Sequence, residues 1–541
     1  MKKYSTLIIF LCLQSFLFSQ DQFWVVFKDK KQSIYSLQHP EDFLSQNALN
    51  RRYFFDLPVT PSDLPISMFY VNEVINLGAN SLKDSKWLNG VLFSSNNPNF
   101  FKEVKNLAFV ASIQKIEQTQ TKQVKQKFDY NPITKLCDDG HPIYGCAYTP
   151  ISMLQGEFLH HLGHKGNTID IAVMDNGFQF VNTNRFFDSL ILQNKIHGGY
   201  NFVNDDPNVF SEGDHGAYVM STLAANIKDT LLGTAPLGNY YLFTTEDNNA
   251  EGLPEEINWA MAAEWADSAL GTWVVLTTSL GYSQGFNDPS TNHSYADMDG
   301  NTTIITKAAD LAAQKGMLVV NSAGNEGEDP WKYIIAPADG DSVLAIGAID
   351  PEGWPAAFSS YGPSLDGRVK PNISAQGVGV IAAKYDGTLQ KINGTSFSGP
   401  IVAGLAACLW EAFPTKSNME LFKAIEQSAH LFYAPEEQYG YGIPNFYRAY
   451  EILKLNASSA QQNLLVFPNP VEELLNIYFL TESTGAYQFL ISDMQGKIWL
   501  EEAAKKNVYQ HVLQVKELPK GVYSIFVRQE KEKYESKFIK R

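Results

Sequence analysis

The sequence is poor in cysteine, carries no excess of basic charge and has no long apolar run beyond its N terminus. Its 541 residues include 4 cysteines, and 42 Lys and Arg stand against 58 Asp and Glu, for a formal charge of -16. Nucleic-acid binding needs a positive field that attracts the phosphate backbone, so this balance argues against a nucleic-acid partner. After the N terminus no stretch reaches about 18 uncharged apolar residues, the length expected of a membrane-spanning helix.

The N terminus itself has the pattern of a secretory signal peptide. In MKKYSTLIIFLCLQSFLFSQ, residues 1–20, Lys2 and Lys3 precede an apolar stretch that is short for a membrane span and ends at the small residue Ser19. Bulky Leu11 precedes Cys12, so we interpret Cys12 as part of the apolar stretch rather than a lipid-attachment site. We therefore expect the protein to act outside the cytoplasm.

Export permits a disulfide between Cys137 and Cys146, which would close a small loop, although sequence alone does not establish the pairing. Cys408 lies in the apolar run LAACLW and is predicted to be a buried small residue.

The pattern of apolar and polar residues along the chain predicts three folded regions. Residues 21–126 mix strand-like and helical pieces, contain no acid or base constellation, and are followed by a polar, Lys- and Gln-rich run typical of an exposed linker. Residues 127–454 then alternate near-continuous apolar strands with amphipathic helices. The strands are IDIAVMD, YYLFTT, WVVLTTSL, GMLVVNSAG and VLAIGAI. This alternation predicts an α/β domain with a doubly wound, mostly parallel sheet.

The last region follows a small polar linker at residues 455–462. Residues 463–541 carry short strands and turns, including NIYFL, QFLISD, GKIWLE and GVYSIFVRQ, at the intervals of a small β-sandwich.

Four polar residues of the α/β region fall at predicted strand ends or helix starts. In open α/β sheets, ligands bind outside the carboxyl ends of the strands, so these positions are candidates for chemistry. Asp175 ends IDIAVMD, His215 lies in EGDHGAYVM, Asn325 follows VVNSAG, and Ser396 lies in NGTSFSGP. Each alone has an ordinary alternative: a turn Asp, a surface His, a turn-capping Asn and a loop Ser. Their joint placement favours a reactive site.

Ser396 is placed where a loop becomes the apolar helix GPIVAGLAACLW, with Pro400 predicted in its first turn. A helix start directs backbone N–H groups and a positive dipole at developing negative charge. Ser398 is interpreted as structural.

The segments around these residues resemble the signature blocks of the subtilase family of serine proteases. They are VMDNG, HGAYVMSTLAA, GTAP, SLG, SAGN and GTSFSGP, and the resemblance covers roughly residues 130–454. It implies that Ser396 attacks the scissile carbonyl, His215 transfers the proton and Asp175 orients the imidazole. Asn325 and the backbone N–H of Ser396 would bind the oxyanion. No cofactor is implied for this chemistry.

The same resemblance implies a substrate cleft that pairs with an extended polypeptide. Its lining residues would be Ser279, Leu280, Gly281, Ala323 and Gly324.

The flanking regions carry resemblances of their own. Residues 21–126 are similar in position to a subtilase propeptide, which chaperones and inhibits the protease until it is cut. In the tail, VFPNP, ISDMQGK and LPKGVYSIFV resemble the C-terminal sorting domain of type IX secretion, which implies that the secretion machinery is a partner and that the protein crosses the outer membrane to be released or held at the surface.

Other functions fit the sequence less well. The HHLGH stretch gives His160 and His164 a helix-face spacing suited to zinc, with His161 beside them, but the catalytic Glu of H-E-x-x-H is absent. An esterase would have G-x-S-x-G around its serine, and GTSFSGP lacks that spacing around Ser396. An inactive subtilase scaffold that acts as a surface binding protein would typically have lost one of the four key residues. Structural calcium could bind Asp205, Asp206 or the acidic loop 297–299, where solvated charge is favoured instead.

Overall fold

The structure is a computed structural model that describes residues 20–116, 130–131, 141–457, 464–467, 470–479, 487–504, 510–529 and 532–541. Residues 1–19 of the predicted signal peptide at 1–20, Cys137 and most of the two predicted linkers lie outside these residues. Within the described ranges, no helix combines the length and the apolar character needed to cross a membrane.

The N-terminal region is a small α+β unit with a four-stranded antiparallel sheet in the order β2-β3-β1-β4. Alternate residues of β1 face opposite sides: Phe23 and Val25 pack against the helices, whereas Trp24 packs against the central region. Its elements are β1 (Asp21–Phe27), α1 (Gln46–Phe54), α2 (Met68–Ile75), β2 (Ala79–Ser85), β3 (Gly90–Ser95), α3 (Phe100–Lys105) and β4 (Val110–Ile116).

The central region contains a seven-stranded sheet in which every neighbouring pair is parallel. In chain order its elements are β5 (Tyr130–Asn131), α4 (Tyr148–Met153), α5 (Glu157–His161), β6 (Asp170–Asp175), α6 (Asp188–Leu192), β7 (Ile196–Asn201), α7 (His215–Ala224), β8 (Asn226–Ile227), β9 (Leu231–Leu232), β10 (Asn239–Thr244), α8 (Leu253–Ala269), β11 (Val274–Thr278), α9 (Ile304–Gln314), β12 (Leu318–Ser322), β13 (Val343–Ile349), β14 (Ile373–Gln376), β15 (Val380–Ala383), β16 (Leu389–Ile392), α10 (Thr395–Ala412), α11 (Asn418–Ser428) and α12 (Phe446–Ala457).

The strand order β14-β13-β12-β11-β6-β10-β7 reverses direction between β6 and β11, as expected for a doubly wound sheet. Helices cover both faces: α7, α10, α11 and α12 pack on one, and α8 and α9 on the other. Strand residues alternate between the two cores, as Val173 and Met174 do in β6. The predicted fold class is confirmed.

The C-terminal region consists of two antiparallel sheets, β17-β18-β21 and β20-β19-β22-β23, whose apolar residues share one core. This is the two-layer arrangement of a β-sandwich. The strands are β17 (Leu464–Phe467), β18 (Leu474–Phe479), β19 (Tyr487–Asp493), β20 (Ile498–Ala504), β21 (Gln510–Gln514), β22 (Gly521–Gln529) and β23 (Glu532–Lys540).

The N-terminal unit docks on the face of the central sheet that α8 and α9 cover, through a buried network of charges. Arg51 and Arg52 donate to the carboxylate of Asp267 in α8 at 2.8 to 3.0 Å. Arg52 and Lys315 also bind Asp63, at 2.7 and 2.9 Å. Burial opposes the charged form, but hydrogen bonds and charges from Arg52 and Arg51 lower the pKa of Asp267 below its ordinary value.

The same contact caps the C-terminal end of α8. Ser45 Oγ, Asn47 Nδ2 and the guanidinium of Arg51 donate to five consecutive backbone carbonyls, those of Asp267, Ser268, Ala269, Leu270 and Gly271. The last carbonyls of a helix have no partner within the helix, so the N-terminal unit supplies donors that α8 itself lacks.

A second carboxylate of α8 accepts hydrogen bonds from the turn between β2 and β3. Glu264 accepts hydrogen bonds from Ser85 Oγ and from the backbone N–H groups of Lys86 and Trp87, the latter two at 3.2 and 3.1 Å. Burial raises the pKa of Glu264 to about 7, against the opposing effect of these donors and of the Lys86 charge.

Candidate active site

Asp175 and His215 are in direct contact at the carboxyl edge of the sheet. Asp175 is the last residue of β6 and His215 the first of α7, and His215 Nδ1 lies 2.7 Å from Asp175 Oδ1. Their side chains are 0% and 1% exposed, respectively, and Asn176 N also donates to Asp175 Oδ1 at 2.8 Å. The carboxylate therefore fixes the plane of the imidazole and directs its Nε2 away from Asp175.

Glycines allow these two segments to approach each other. A β-carbon at Gly177 would lie 2.1 Å from the carbonyl oxygen of Glu212, and one at Gly216 would lie 2.3 Å from that of Gly177. Any side chain at either position would push α7 away from the end of β6, so the contact between Asp175 and His215 depends on both glycines.

Ser396 is the second residue of α10, and the ring of the next residue, Phe397, lies 5.8 Å from the His215 ring. Pro400 is inside α10 rather than in its first turn, so that part of the prediction is wrong. Proline has no N–H, and the carbonyl of Ser396 therefore has no i + 4 donor. Ser279 Oγ supplies the missing donor at 2.8 Å.

The hydroxyl of Ser396 donates to the carbonyl oxygen of Ser279 at 3.2 Å. Ser398, also buried, donates instead to the carbonyl of Thr395 within its own helix at 3.0 Å. The two serines of the block thus have different surroundings: Ser396 faces the end of β11, and Ser398 faces the backbone of α10.

The side chain of Asn325 is oriented by Thr395, the neighbour of Ser396. Thr395 N and Oγ1 donate to Asn325 Oδ1 at 2.9 and 3.0 Å. A backbone N–H can only donate, so the oxygen of the amide must face Thr395. The Nδ2 donor consequently points to the other side, beside the start of α10.

The five predicted cleft residues lie on two short segments that leave neighbouring strands. Residues 279–281 follow β11 and residues 323–324 follow β12. Asn321 Nδ2 joins the segments, donating to Leu280 O at 3.1 Å and to Ser322 O at 2.8 Å.

Sequence reasoning missed two residues here, Asn321 and Ile335. Ile335 lies at the base of both segments, with its N–H donating to Ala323 O at 3.2 Å. Asn321 stands inside the apolar strand β12 and Ile335 in a stretch without reactive side chains, so only the folded arrangement shows that they contact the cleft.

The histidines of HHLGH do not assemble a metal centre. His160 is buried, and its ring nitrogens lie 3.1 Å from Tyr144 Oη and 2.9 Å from Thr234 O. Burial lowers the pKa of His160 to about 4. His161 is exposed, and α5 ends there, before His164. The zinc hydrolase alternative therefore has no support among the described residues.

Among the acidic positions considered for calcium, Asp205 accepts a hydrogen bond from Tyr200 Oη, and the others cap local turns. Asp206 Oδ1 accepts from Asn208 N at 3.0 Å, and in the loop 297–299 Asp297 Oδ2 accepts from Ser294 N at 2.7 Å. Among the described residues, the one group of three or more potential ligands close enough to share an ion is a different one, formed by Glu246, Glu251 and Glu255. Solvated charge at these positions, rather than bound calcium, stays the prediction.

The cysteines are distributed between a disulfide and a buried thiol. Cys146 is disulfide-bonded, whereas Cys137 lies outside the described residues, so their pairing remains a prediction. Cys408 is a free buried cysteine in α10, and burial raises the pKa of its thiol.

Comparison with known families identifies each of the three regions. The subtilase family (peptidase S8) matches residues 166–442, the peptidase S8 propeptide domain of Bacteroidota matches residues 22–130, and a secretion system C-terminal sorting domain matches residues 465–541.

Two proteases and one solved structure are similar to parts of this chain. The chain is 28% identical over 332 residues to a thermostable alkaline protease of Halalkalibacterium halodurans, covering 61% of this chain and 81% of that protein. It is 30% identical over 299 residues to subtilisin NAT of Bacillus subtilis subsp. natto, covering 54% and 69%. A solved structure of MycP1 with its N-terminal propeptide removed aligns over 56% of this chain and 96% of that one, with 22% identity and a TM-score of 0.46.

The family match spans half of the chain and includes the segments that carry Asp175, His215, Asn325 and Ser396. The sorting domain indicates export to the cell surface or beyond. The chain therefore belongs to the subtilase family and is a serine endopeptidase. Its protease region is preceded by a propeptide domain of that family and followed by a secretion sorting domain.

Proposed function

We propose that this exported endopeptidase cleaves extended polypeptides through an acyl-enzyme formed on Ser396. The observation that carries the proposal is the 2.7 Å contact between buried Asp175 and His215, next to the start of α10, where Ser396 lies. This is the arrangement of base and orienting group that a serine hydroxyl needs to become nucleophilic.

In the acylation step, Ser396 Oγ leaves the carbonyl of Ser279 and attacks the scissile carbonyl carbon. Its proton passes to His215 Nε2, and Asp175 stabilises the imidazolium through Nδ1. When the tetrahedral intermediate collapses, the C–N bond breaks and the same proton goes to the leaving amine. Water then attacks the ester with His215 as base, which restores Ser396 Oγ–H and releases the carboxylate product.

Two donors would stabilise the oxyanion of both intermediates. Asn325 Nδ2 is one, because Thr395 already engages the Oδ1 atom. The backbone N–H of Ser396 is the other, since residues in the first turn of a helix have no intrahelical acceptor. The positive end of the α10 dipole favours the same charge.

The substrate would lie between residues 279–281 and 323–324 as an added strand. Segments that continue from parallel strands expose backbone donors and acceptors, which bind a polypeptide independently of its side chains. Peptide bonds in extended segments are therefore the expected targets, with Ser279, Leu280, Gly281, Ala323 and Gly324 lining the cleft.

The N-terminal unit would act as a propeptide that inhibits the protease until the junction after residue 116 is cut. The buried contact of Arg51 and Arg52 with Asp267 supports a tight complex. The C-terminal sandwich would direct passage across the outer membrane by type IX secretion, after a signal peptide at residues 1–20 directs passage across the inner one.

The test is hydrolysis of casein and labelling by a fluorophosphonate, measured on processed enzyme and on Ser396→Ala made as a full chain. Ser398→Ala is the matched control, because it removes a buried hydroxyl of the same helix two residues away. We expect Ser396→Ala to lose both signals and Ser398→Ala to keep both. Activity that persists in Ser396→Ala, or that only a zinc chelator blocks, would contradict the mechanism.

Processing is tested separately by N-terminal sequencing of secreted, active material. We expect a start between about residues 120 and 150, in the exposed stretch that precedes the protease. Active enzyme that begins at Asp21 would reject an inhibitory propeptide.

A further inference from the structure

A short segment at residues 334–336 closes the base of the cleft and ties its two walls together. Ile335 N donates to Ala323 O at 3.2 Å, on one wall. Ala336 pairs with Tyr282 in both directions, at 3.0 and 2.8 Å, on the other. The position of the Ile335 side chain is therefore fixed relative to both walls by backbone hydrogen bonds.

The side chain of Ile335 fills the space between the two wall glycines. A β-carbon built on Gly281 would lie 2.6 Å from both Cγ1 and Cδ1 of Ile335. One built on Gly324 would lie 3.1 Å from the same Cγ1. One isoleucine side chain thus packs against the backbone of both walls, and it is only 6% exposed.

The Ile335 side chain has little freedom to move aside. A β-branched residue has a restricted χ1, and rotating it would drive its methyl groups into one or the other glycine backbone. On the Gly324 side the space also holds Glu326, whose Oε2 accepts from Ser360 Oγ at 2.8 Å. Burial raises the pKa of Glu326, and its carboxylate is engaged by that hydroxyl.

We propose that Ile335 is a specificity-determining residue that shortens the pocket for the side chain preceding the scissile bond. The enzyme then selects substrates with Gly, Ala or Ser at that position and discriminates against aromatic and long side chains. This inference rests on the proposed function, because it assigns the cleft between residues 279–281 and 323–324 to that substrate side chain.

The test uses processed enzyme and peptides Ala-Ala-Pro-X-p-nitroanilide, with X as Ala, Leu, Phe or Lys. One methylene in an apolar pocket changes kcat/KM by about 10- to 200-fold, so wild type should favour Ala over Phe by at least about tenfold. Ile335→Ala should raise kcat/KM for Phe and Leu by about tenfold or more and reverse the preference.

Two isoleucine-to-valine variants, which disturb packing less, keep the test decisive if Ile335→Ala does not fold. Ile335→Val removes one methyl group from the pocket and should move the Leu to Ala ratio in the same direction by a smaller factor. Ile373→Val removes the same methyl group from a fully buried isoleucine of β14, at the edge of the sheet and outside the cleft. That variant should leave the ratio unchanged.

The outcomes separate this inference from the function on which it rests. A wild-type preference for Phe or Leu would contradict the role of Ile335 without contradicting the proposed protease function. A preference for Lys does the same and assigns the base of the pocket to Glu326. An unchanged Phe to Ala ratio in folded Ile335→Ala also overturns it. If wild type hydrolyses no peptide above the Ser396→Ala background, the proposed function fails and the inference with it.

Discussion

Ser279 and Ser396, 117 residues apart in the chain, hold each other through two reciprocal hydrogen bonds. Ser279 Oγ donates to the carbonyl of Ser396 at 2.8 Å, and Ser396 Oγ donates to the carbonyl of Ser279 at 3.2 Å. The first bond exists because Pro400 cannot donate to that carbonyl. The position of the proposed nucleophile therefore depends on the loop after β11 as well as on α10.

Replacing Ser279 should impair both stability and catalysis. Ser279→Ala leaves the buried carbonyl of Ser396 without its donor, which costs about 1–3 kcal/mol. We expect a lower Tm and a fall in kcat of about tenfold, because Ser396 loses one of its anchors. Ser398→Ala removes a buried hydroxyl that does not contact Ser396, so it should lower Tm without lowering kcat. Equal kcat values in the two variants would contradict the anchoring role.

Removing the oxyanion donor should slow the chemistry far more than it weakens binding. Asn325→Ala should lower kcat by about 10²- to 10³-fold with a small change in KM. Thr395→Val is the graded comparison: it deletes one of two donors to Asn325 Oδ1 and keeps the backbone N–H, so its kcat should fall much less. Steady-state kinetics on one peptide substrate measure both, and similar losses would argue against Asn325 as the donor.

The buried network between propeptide and protease should control how long the cut propeptide stays bound. Arg52→Ala leaves the carboxylates of Asp63 and Asp267 short of a partner, and breaking a buried pair costs about 3–5 kcal/mol. We expect the processed propeptide to dissociate at least about 10²-fold faster, measured by the lag before activity appears.

Lys115→Ala is the matched control for Arg52→Ala. Lys115 pairs with Asp21 at 3.0 Å on the surface, where the two side chains are 44% and 57% exposed. Exposed pairs of this kind contribute about 0–1 kcal/mol, so the lag should hardly change. A lag shortened equally by both variants would mean that the network does not hold the complex.

Propeptide binding should weaken as the pH rises through about 7. In the complex, burial raises the pKa of Glu264 to about 7, and release of the loop at Ser85 lets the carboxyl return toward its ordinary, lower value. A raised pKa in the bound state means that the complex favours the neutral carboxyl. Its contribution is fully present below the pKa of the free enzyme and is lost as the pH passes the bound value.

Glu264→Gln keeps the shape of the side chain and removes its titration. Propeptide dissociation measured about one pH unit either side of 7 should accelerate at the higher pH in the wild type and stay flat in the variant. An identical pH slope in both proteins would assign the dependence to another group.

The sequence predicted the interior of the central sheet better than its edges. The five apolar runs became β6, β10, β11, β12 and β13, which are all flanked on both sides, and every residue in them is buried except Asp170, Asn239 and Tyr241. The two edge strands were not predicted. β7 reads IHGGYN, is partly exposed and contains two glycines, and β14 has only four residues. An edge strand does not have to be apolar along its length, so the pattern that marks an interior strand is weak there.

The polar residues of the site were predictable for a similar reason. Asp175, His215 and Ser396 stand at the ends of regular elements, Asn325 follows β12 by three residues, and all four carry polar side chains next to apolar runs. The role of Ile335 depends instead on the distance between two glycines, one before and one after β12, and no local pattern encodes that distance. No local pattern predicts the hydrogen bond from Ser279 Oγ to the carbonyl of Ser396 either. That bond forms because Pro400, four residues further along α10, has no N–H to donate to this carbonyl.

The capping of α8 by residues 45–51 has a consequence for the enzyme after activation. Five successive carbonyls, from Asp267 to Gly271, receive their donors from a segment that the proposed activation would remove. Once the propeptide leaves, only water can replace those donors, and the last turn of α8 becomes a place where local opening costs least. Activation of this kind would leave the last turn of α8 without five of its hydrogen-bond donors, on the face of the sheet opposite α10.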